Sequence, residues 1–216
     1  MSEINLLKSL PKSKRNISNR KSRKTAKHIQ IAKKFGKMFF DGPREFGYGG
    51  YSYDGRWQPV AKDIAEHFKL AAGDKVLDIG CAKGFLVKDL VSIGIDAYGV
   101  DISQYAIECC ESEISDRVKV GSADNLAYPD KYFDAVICIN TIHNLKRDSC
   151  LNALREIERL APGKGFVQVD SFKTLEQKKI FESWVLTAQF YDYPEGWLKL
   201  FKEAGYSGDY YWTIIE

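Results

Sequence analysis

The segment LDIGCAKGFL, residues 77–86, combines a carboxylate with two closely spaced glycines. Asp78 stands two positions before Gly80, and Gly84 follows four positions later, with Ala82 between the glycines. Glycines let the backbone approach a ligand closely, and a helix beginning after the loop offers free N–H groups. A dinucleotide site would show the spacing G-x-G-x-x-G, and Asp78 would repel its pyrophosphate. The carboxylate instead suits a ligand that carries an ammonium or sulfonium group.

Short apolar runs alternate with amphipathic segments on both sides of this loop, which is typical of a doubly wound parallel α/β sheet. Ligands bind such sheets at the carboxyl ends of the strands. The last segment, 210–215, is predicted to pair antiparallel at the sheet edge. The other predicted strands are 75–80, 96–101, 117–124, 132–140 and 163–170, and the predicted helices are 59–70, 85–94, 103–114, 147–160, 174–188 and 194–206.

Three carboxylates, those of Asp78, Asp101 and Asp124, stand at the ends of three successive predicted strands. Carboxylates in such places rarely serve packing. Together with the glycine loop, they resemble the motifs of the class I S-adenosylmethionine-dependent methyltransferases. The resemblance covers about residues 75–172. It implies a seven-stranded, mostly parallel sheet of the Rossmann-like methyltransferase type, with an antiparallel edge strand, and S-adenosylmethionine as the cofactor.

The resemblance extends to the residues of the glycine loop. The first motif of the family is an acid followed by G-x-G-x-G, which Asp78, Gly80 and Gly84 match. Ala82 replaces the middle glycine, a change that adds one methyl group. Lys83 stands beside Ala82, and nothing in the motif explains it. The matching residues are therefore expected to bind the cofactor.

The same resemblance assigns roles to residues beyond the loop. Asp101 matches the acid that takes both ribose hydroxyls, and Ile102 matches the apolar floor under adenine. Asp124, with Asn125 beside it, matches the acid that accepts from the adenine amino group. Asn140 matches the point where the fourth strand opens into the active site. All five residues are expected to contact the cofactor.

A hydroxyl that accepts a methyl group needs a base to take its proton. His143 is the first candidate, because a neutral imidazole takes a proton near pH 7 and this loop should face the methyl group. The alternative is a loop histidine bonded to the backbone. Asn140 and Asn144 are predicted to orient the acceptor, while Asp170 and Ser171, at the end of the fifth strand, are weaker candidates.

The stretch FGYGGYSYDGRW, residues 46–57, holds five aromatic residues and four glycines. We interpret it as a lid that orders over the cofactor and forms one wall of the acceptor site. Tyr48, Tyr51, Tyr53 and Trp57 are predicted to line the substrate pocket, and Arg56 to hold a carboxylate or phosphate. The alternative is a rigid aromatic corner that anchors the N-terminal arm to the body.

Charge is divided unevenly along the 216 residues. Residues 1–37 carry twelve Lys or Arg and one acid, whereas the remainder carries 20 basic and 28 acidic residues. We expect residues 1–58 to form a basic arm, a helix and the lid, and residues 59–216 to form the methyltransferase domain. Residues 1–20 are predicted to be loosely ordered, and a basic amphipathic helix is predicted from Thr25 to about Phe39.

Composition limits the classes of protein that the chain can represent. No apolar run approaches the length of a membrane span, and the N-terminus lacks the pattern of a secretory signal. The five cysteines include no C-x-x-C pair, which favours reduced thiols, and no set of residues predicts a metal site. A cytoplasmic protein is expected.

The acceptor is less well defined than the cofactor. Residues 140–143 read NTIH where amino-methylating DNA enzymes have N/D-P-P-Y/F, so DNA base amines are not the expected substrate. We expect O-methylation of a small polar molecule, with a carbohydrate or sugar-linked group as the first candidate. Two alternatives stay open: an RNA-directed methyltransferase that uses the basic arm, and a non-catalytic module that binds S-adenosylmethionine. The sequence predicts no oligomeric state.

Overall fold

A parallel sheet forms the centre of the computed structural model, which describes residues 1–11 and 24–214. The strand order is β3-β2-β1-β4-β5-β6, and each neighbouring pair is parallel. Because the order reverses between β1 and β4, the ligand crevice is expected at the carboxyl ends of these two strands. The strands are β1 (Lys75–Ile79), β2 (Asp96–Asp101), β3 (Val118–Val120), β4 (Ala135–Ile139), β5 (Gly165–Ser171) and β6 (Asp209–Ile214).

The prediction of a seventh strand and an antiparallel edge is wrong for the described part of the chain. β6 runs parallel to β5, with Phe166 opposite Asp209 and Ser171 opposite Ile214. Two helices separate these strands in the sequence. Such a long crossover returns the chain to the start of the sheet, as a parallel connection requires.

Helices pack on both faces of the sheet and enclose two apolar cores. Val76 on β1 faces the core that α3 and α4 cover, whereas Leu77 faces the core that α6 and α8 cover. None of the helices within the described ranges combines the length and apolarity that a membrane crossing requires. The helices are α1 (Ala26–Ala32), α2 (Lys37–Phe40), α3 (Gln58–Phe68), α4 (Phe85–Ser92), α5 (Gln104–Glu108), α6 (Arg147–Leu160), α7 (Leu175–Trp184) and α8 (Pro194–Ala204).

Two predicted helices are shorter in the structure. The helix predicted from residue 25 to 39 breaks into α1 and α2, with Phe35 in a left-handed conformation (φ 46°). The break lets the Phe35 carbonyl accept a hydrogen bond from Ser103 Oγ. Ser103 also caps α5, as predicted, by accepting from the Ala106 N–H at 3.0 Å. This second helix ends at Glu108, and a 3₁₀ turn follows at Ser112–Ile114.

The first residues of the chain are more ordered than the sequence suggested. Glu3 forms a parallel bridge with Tyr210 on the outer edge of β6. Leu6 is 4% exposed and belongs to the core that α3 and α4 cover. Ser9 Oγ donates a hydrogen bond to Asp63 on α3. Residues 12–20 of the segment predicted to be loose lie outside the described residues.

Candidate active site

The loop after β1 makes a sharp turn that only glycine accommodates. Gly80 has a φ of 79°, and a Cβ there would lie 2.0 Å from Thr141 Oγ1. Gly84 has a φ of 74°, and its Cβ would lie 2.5 Å from Ile114 Cδ1. The loop is therefore pressed between the end of β4 and the segment before β3. This packing explains why both positions are glycine. It also leaves the N-terminus of α4, directly after Gly84, facing the crevice.

Asp78, at the end of β1, is 5% exposed. Burial, together with the charge of Asp101, raises the pKa of Asp78 to about 8. Both effects disfavour the anion. A cation bound in the crevice would instead favour the anionic form of Asp78. This is the property expected of a carboxylate that binds an ammonium or sulfonium group.

The raised pKa predicts how stability depends on pH. In the unfolded chain Asp78 loses its proton near pH 4, whereas in the folded protein it keeps the proton until about pH 8. Between these two pH values, Asp78 holds its proton only in the folded state. The free energy of unfolding therefore falls as the pH rises from about 4 to about 8. The asparagine of Asp78→Asn cannot titrate, so the free energy of unfolding of this variant lacks this pH dependence. From pH 6 to pH 8.5, we expect its difference from the wild type to change by about 1–3 kcal/mol in favour of the variant. Denaturant unfolding at the two pH values measures this gain, and parallel pH profiles would contradict it.

Ala82 occupies a backbone conformation that glycine adopts more easily. Its φ is 53°, and its N–H donates to Asp101 Oδ2 at 2.8 Å. The N–H of Ser103 donates to Asp101 Oδ1, also at 2.8 Å. Burial raises the pKa of Asp101, although both hydrogen bonds oppose that rise. Asp101 thus holds the loop in its left-handed shape.

The ends of β2 and β3 present one apolar and two polar side chains. Ile102 is 59% exposed, which is unusual for an isoleucine beside a buried strand end. Asp124 accepts a hydrogen bond from Ser122 Oγ, and its pKa is lowered because such bonds outweigh the effect of partial burial. Asn125 is exposed. All three residues follow the carboxyl ends of β2 and β3, and the adenine site stays a prediction.

A row of side-chain amides and hydroxyls, not foreseen from the sequence, crosses the ends of β4, β5 and β6. Gln168 Nε2 donates to Thr213 Oγ1 at 2.8 Å, and Thr213 Oγ1 donates to Asn140 Oδ1 at 2.9 Å. These bonds point the Asn140 oxygen toward β6. Within the described ranges, Gln168 Oε1 and Asn144 Oδ1 are buried and lack hydrogen-bond partners. Polar groups on a sheet-end row are hard to recognise in sequence, because each looks like an ordinary strand residue.

His143 is 4% exposed and has both ring nitrogens facing Asp170. Its Nδ1 accepts from the backbone N–H of Asp170 at 3.1 Å, so in the neutral ring Nε2 carries the proton. That nitrogen lies 3.5 Å from Asp170 Oδ2. Burial lowers the pKa of His143. The neutral ring in this geometry has no lone pair left for a substrate proton, which disfavours the base role predicted from the sequence.

The other residues of this end of the sheet serve the backbone. Asn144 Nδ2 donates to the Asn140 carbonyl at 3.3 Å. Ser171 is buried, and its Oγ donates to the Asp192 carbonyl at 2.9 Å. Asp170 is held by Trp197, whose Nε1 donates to its carbonyl oxygen at 3.1 Å. The backbone of Asp170 is therefore held in place at the end of β5.

Residues 46–53, here called the aromatic cover, pack against α2 and α4. The ring of Tyr51 stacks on Phe85, with centroids 4.8 Å apart, and lies 4.6 Å from the ring of Tyr48. Desolvation, with the charges of Asp101 and Asp170, raises the pKa of Tyr48 to about 12. Desolvation and neighbours that include Asp78 likewise raise the pKa of Tyr51. Both hydroxyls thus lie within electrostatic range of the strand-end carboxylates.

The last residues of the aromatic stretch, Tyr53, Arg56 and Trp57, contact parts of the molecule other than the strand ends. Tyr53 donates to Asp89 on α4 at 2.5 Å. Arg56 is exposed and forms an ion pair with Asp54, two residues away, so the structure does not bring it to the strand ends. Trp57 packs against the core under α3 and α4. The rings of Tyr48 and Tyr51 pack on α2 and α4, while Tyr53 and Trp57 tie the stretch to α4 and to the core; the lid stays a prediction.

A family model described as a methyltransferase domain matches residues 77–169. This range begins within β1 and ends within β5, so it contains the glycine loop and the three strand-end carboxylates. The aromatic cover and the N-terminal helices lie outside it. The shared part is therefore the cofactor-binding half of the crevice.

Curated relatives match the chain over part of its length. A sterol 4-C-methyltransferase of Caenorhabditis elegans is 32% identical over 127 residues, 54% of this chain and 36% of that protein. A 27-O-demethylrifamycin SV methyltransferase of Amycolatopsis mediterranei is 31% identical over 90 residues, 38% of this chain and 33% of that protein. The chain thus spans about a third of the length of these relatives.

Solved structures share the fold. One, a SAM-dependent methyltransferase from Archaeoglobus fulgidus, has a TM-score of 0.55 and 20% identity over 73% of this chain and 70% of that one. The family match, taken with the motif residues at the strand ends, implies S-adenosylmethionine as the cofactor. Residues 77–169 therefore form a methyltransferase domain, and the chain shares its fold with a known S-adenosylmethionine-dependent methyltransferase.

Proposed function

We propose that the protein transfers a methyl group from S-adenosylmethionine to a hydroxyl group of a small polar molecule. A carbohydrate or sugar-linked group is the first acceptor class to test. The observation that carries this proposal is that Asp78, Asp101 and Asp170 stand at the carboxyl ends of β1, β2 and β5, on one edge of the same parallel sheet. Two of these carboxylates suit the donor, and the third suits the proton of a hydroxyl acceptor.

The hydrogen bonds of Asp101 leave it able to bind the ribose of the donor. Each carboxylate oxygen accepts one backbone N–H, from Ala82 or from Ser103. A carboxylate oxygen accepts about two hydrogen bonds, so each oxygen keeps one acceptor position for a ribose hydroxyl. Ile102 offers the apolar surface for adenine, with Asp124 and Asn125 near its edge. Asp78 would meet the positive end of the donor.

S-adenosylmethionine supplies a methyl group already activated by its sulfonium, so the chemistry is an in-line displacement. The protein's part is to align the acceptor oxygen, exclude water and receive the hydroxyl proton. The acceptor oxygen bonds to the methyl carbon as the carbon–sulfur bond breaks and its electrons pass to sulfur. The Asn140 amide and the Tyr48 hydroxyl are placed to orient the acceptor.

The proton goes to Asp170 in this proposal. The Asp170 backbone is held at the end of β5 by Trp197, and the charge of its carboxylate contributes to the raised pKa of Tyr48. His143 presents its Nε2 proton to Asp170 Oδ2 and so holds the carboxylate in one orientation. We therefore assign Asp170 as the base and His143 as the residue that positions it.

One observation keeps RNA as a second acceptor class. Lys27, Lys33, Lys34 and Lys37 on α1, α2 and their connection are exposed. These helices adjoin the crevice through the bond from Ser103 to Phe35. Clustered lysines beside a catalytic cleft attract a polyanion.

Transfer of labelled methyl groups decides between these functions. The protein is incubated with methyl-labelled S-adenosylmethionine and a cell extract split into small molecules and RNA. The proposal expects label in the small-molecule fraction that resists mild base, because a methyl ether is stable to base whereas a methyl ester is hydrolysed. Label in RNA that disappears when the four lysines Lys27, Lys33, Lys34 and Lys37 are replaced by glutamine supports the second class. Binding of the donor without label in either fraction points to a non-catalytic module.

A further inference from the structure

Lys83, which the methyltransferase motif does not explain, is held inside the glycine loop by an ion pair. Its side chain is 10% exposed. Its Nζ lies 2.9 and 2.8 Å from the two carboxylate oxygens of Asp41, which stands directly after α2. Charged groups that share two short contacts form a geometrically defined pair. The loop is therefore tied to a residue 42 positions earlier in the chain.

Asp41 joins three parts of the molecule. Besides Lys83, it accepts a hydrogen bond from Tyr105 Oη on α5 at 2.6 Å and from the backbone N–H of Tyr51 at 3.1 Å. Partial burial by itself raises the pKa of Asp41, but the bonds from Lys83, Tyr105 and Tyr51 outweigh it and lower the pKa. Asp41 is thus an anion at neutral pH, which strengthens all three contacts.

The contact with Tyr51 fixes the aromatic cover at its centre. The rest of the cover is held by backbone bonds to α2, from the Tyr48 N–H to the Phe39 carbonyl and from the Gly50 N–H to the Phe40 carbonyl. α2 itself ends at Asp41. The ion pair with Lys83 is the charged contact that connects this assembly to the glycine loop. Loss of the pair would leave ring stacking on Phe85 and the hydrogen bond from Tyr53 to Asp89 between the cover and α4.

We infer that Asp41 and Lys83 form a clasp that positions the aromatic cover over the donor-binding loop. Both are positioning residues for donor binding, and this role rests on the proposed function. The clasp also acts on the loop itself, because Lys83 follows Ala82, whose left-handed backbone is costly for a residue with a Cβ. The loop and the cover then move as one unit when the donor enters or leaves.

The clasp is tested with S-adenosylhomocysteine, the product of the donor. Asp41→Asn and Lys83→Met are each expected to weaken its binding about 3- to 10-fold, mainly through faster dissociation. The double variant is expected to be no worse than about the larger single effect, because both changes break one interaction. Lys83→Arg keeps the positive charge, now on a planar guanidinium that can contact both Asp41 oxygens, and is expected to retain most of the affinity.

Glu203→Gln is the matched control, since it breaks the ion pair with Arg147 between α6 and α8, away from the glycine loop. It should leave the affinity unchanged. Equal affinities for the wild type, Asp41→Asn and Lys83→Met, with only a lower melting temperature in the variants, would overturn the clasp. If the wild type fails to bind, the proposed function fails. Hydrogen exchange of residues 48–53 then decides the clasp, which requires faster exchange in Asp41→Asn.

Discussion

We expect Asp101→Ala to weaken the binding of S-adenosylhomocysteine about 10- to 100-fold. The substitution removes both acceptors for the ribose hydroxyls, and hydrogen bonds to a charged group contribute about 1.5–3 kcal/mol. It also releases the N–H of Ala82 from Oδ2, so the strained loop loses the contact that shapes it. Both effects act in the same direction. Titration calorimetry of the wild type and the variant measures the change.

Asp96→Asn provides the control for this experiment. Asp96 begins the same strand, β2, and pairs with Arg117 at 2.7 Å, but it lies at the end of the strand away from the crevice. Its variant should bind like the wild type, while Asp101→Asn, which keeps one carbonyl acceptor, should fall between. Undiminished binding in Asp101→Ala would refute the ribose assignment.

Asp170→Asn is expected to lower kcat about 100-fold or more with a hydroxyl acceptor, while the affinity for the donor stays within about twofold. Asparagine keeps the size of the side chain and the contact with His143, but it cannot take a proton at neutral pH. The acceptor found by label transfer is the substrate for this measurement. His143→Gln retains an N–H donor near Asp170, so its loss of activity should be smaller.

The reverse order of effects would contradict the assignment. If His143→Gln abolishes transfer and Asp170→Asn is nearly as active as the wild type, the histidine is the base, as the sequence alone suggested. Ser171→Ala serves as the control on the same strand end, because its hydroxyl is engaged by the Asp192 carbonyl. With an acceptor that is already a neutral amine, both losses should be small.

The sequence predicted the strand ends because their signals are local. Buried apolar runs and the glycines beside them fix where β1 and β2 end, and so fix Asp78 and Asp101. The fully helical pattern of residues 147–160 likewise predicts α6, which has those bounds. The spacing of the glycines and carboxylates, through its resemblance to the methyltransferase motifs, also indicates S-adenosylmethionine as the ligand. The position of the glycine loop and of these two carboxylates at strand ends is thus readable from short segments.

Features set by distant contacts were not predictable in this way. The role of His143 depends on the Asp170 N–H, 27 residues later, which decides which ring nitrogen carries the proton. Lys83 has its partner far upstream, and Arg56 turns to Asp54 although its type suits an anion site. β6 joins the sheet parallel because of its crossover rather than its own residues. Each outcome depends on tertiary packing that composition and spacing do not encode.

Hydrogen exchange with and without S-adenosylhomocysteine tests most directly the central claim that the donor binds at the strand ends beneath the aromatic cover. Bound ligand should slow exchange at residues 80–84, around Asp101–Ser103 and across residues 46–53 together, because loop and cover enclose it. The C-terminal end of α6, whose Leu160 carbonyl accepts from the Phe133 N–H before β4 and so lies at the opposite edge of the sheet, should be unaffected. Unchanged exchange in the loop and the cover at saturating ligand, or protection confined to other parts of the chain, would contradict the claim.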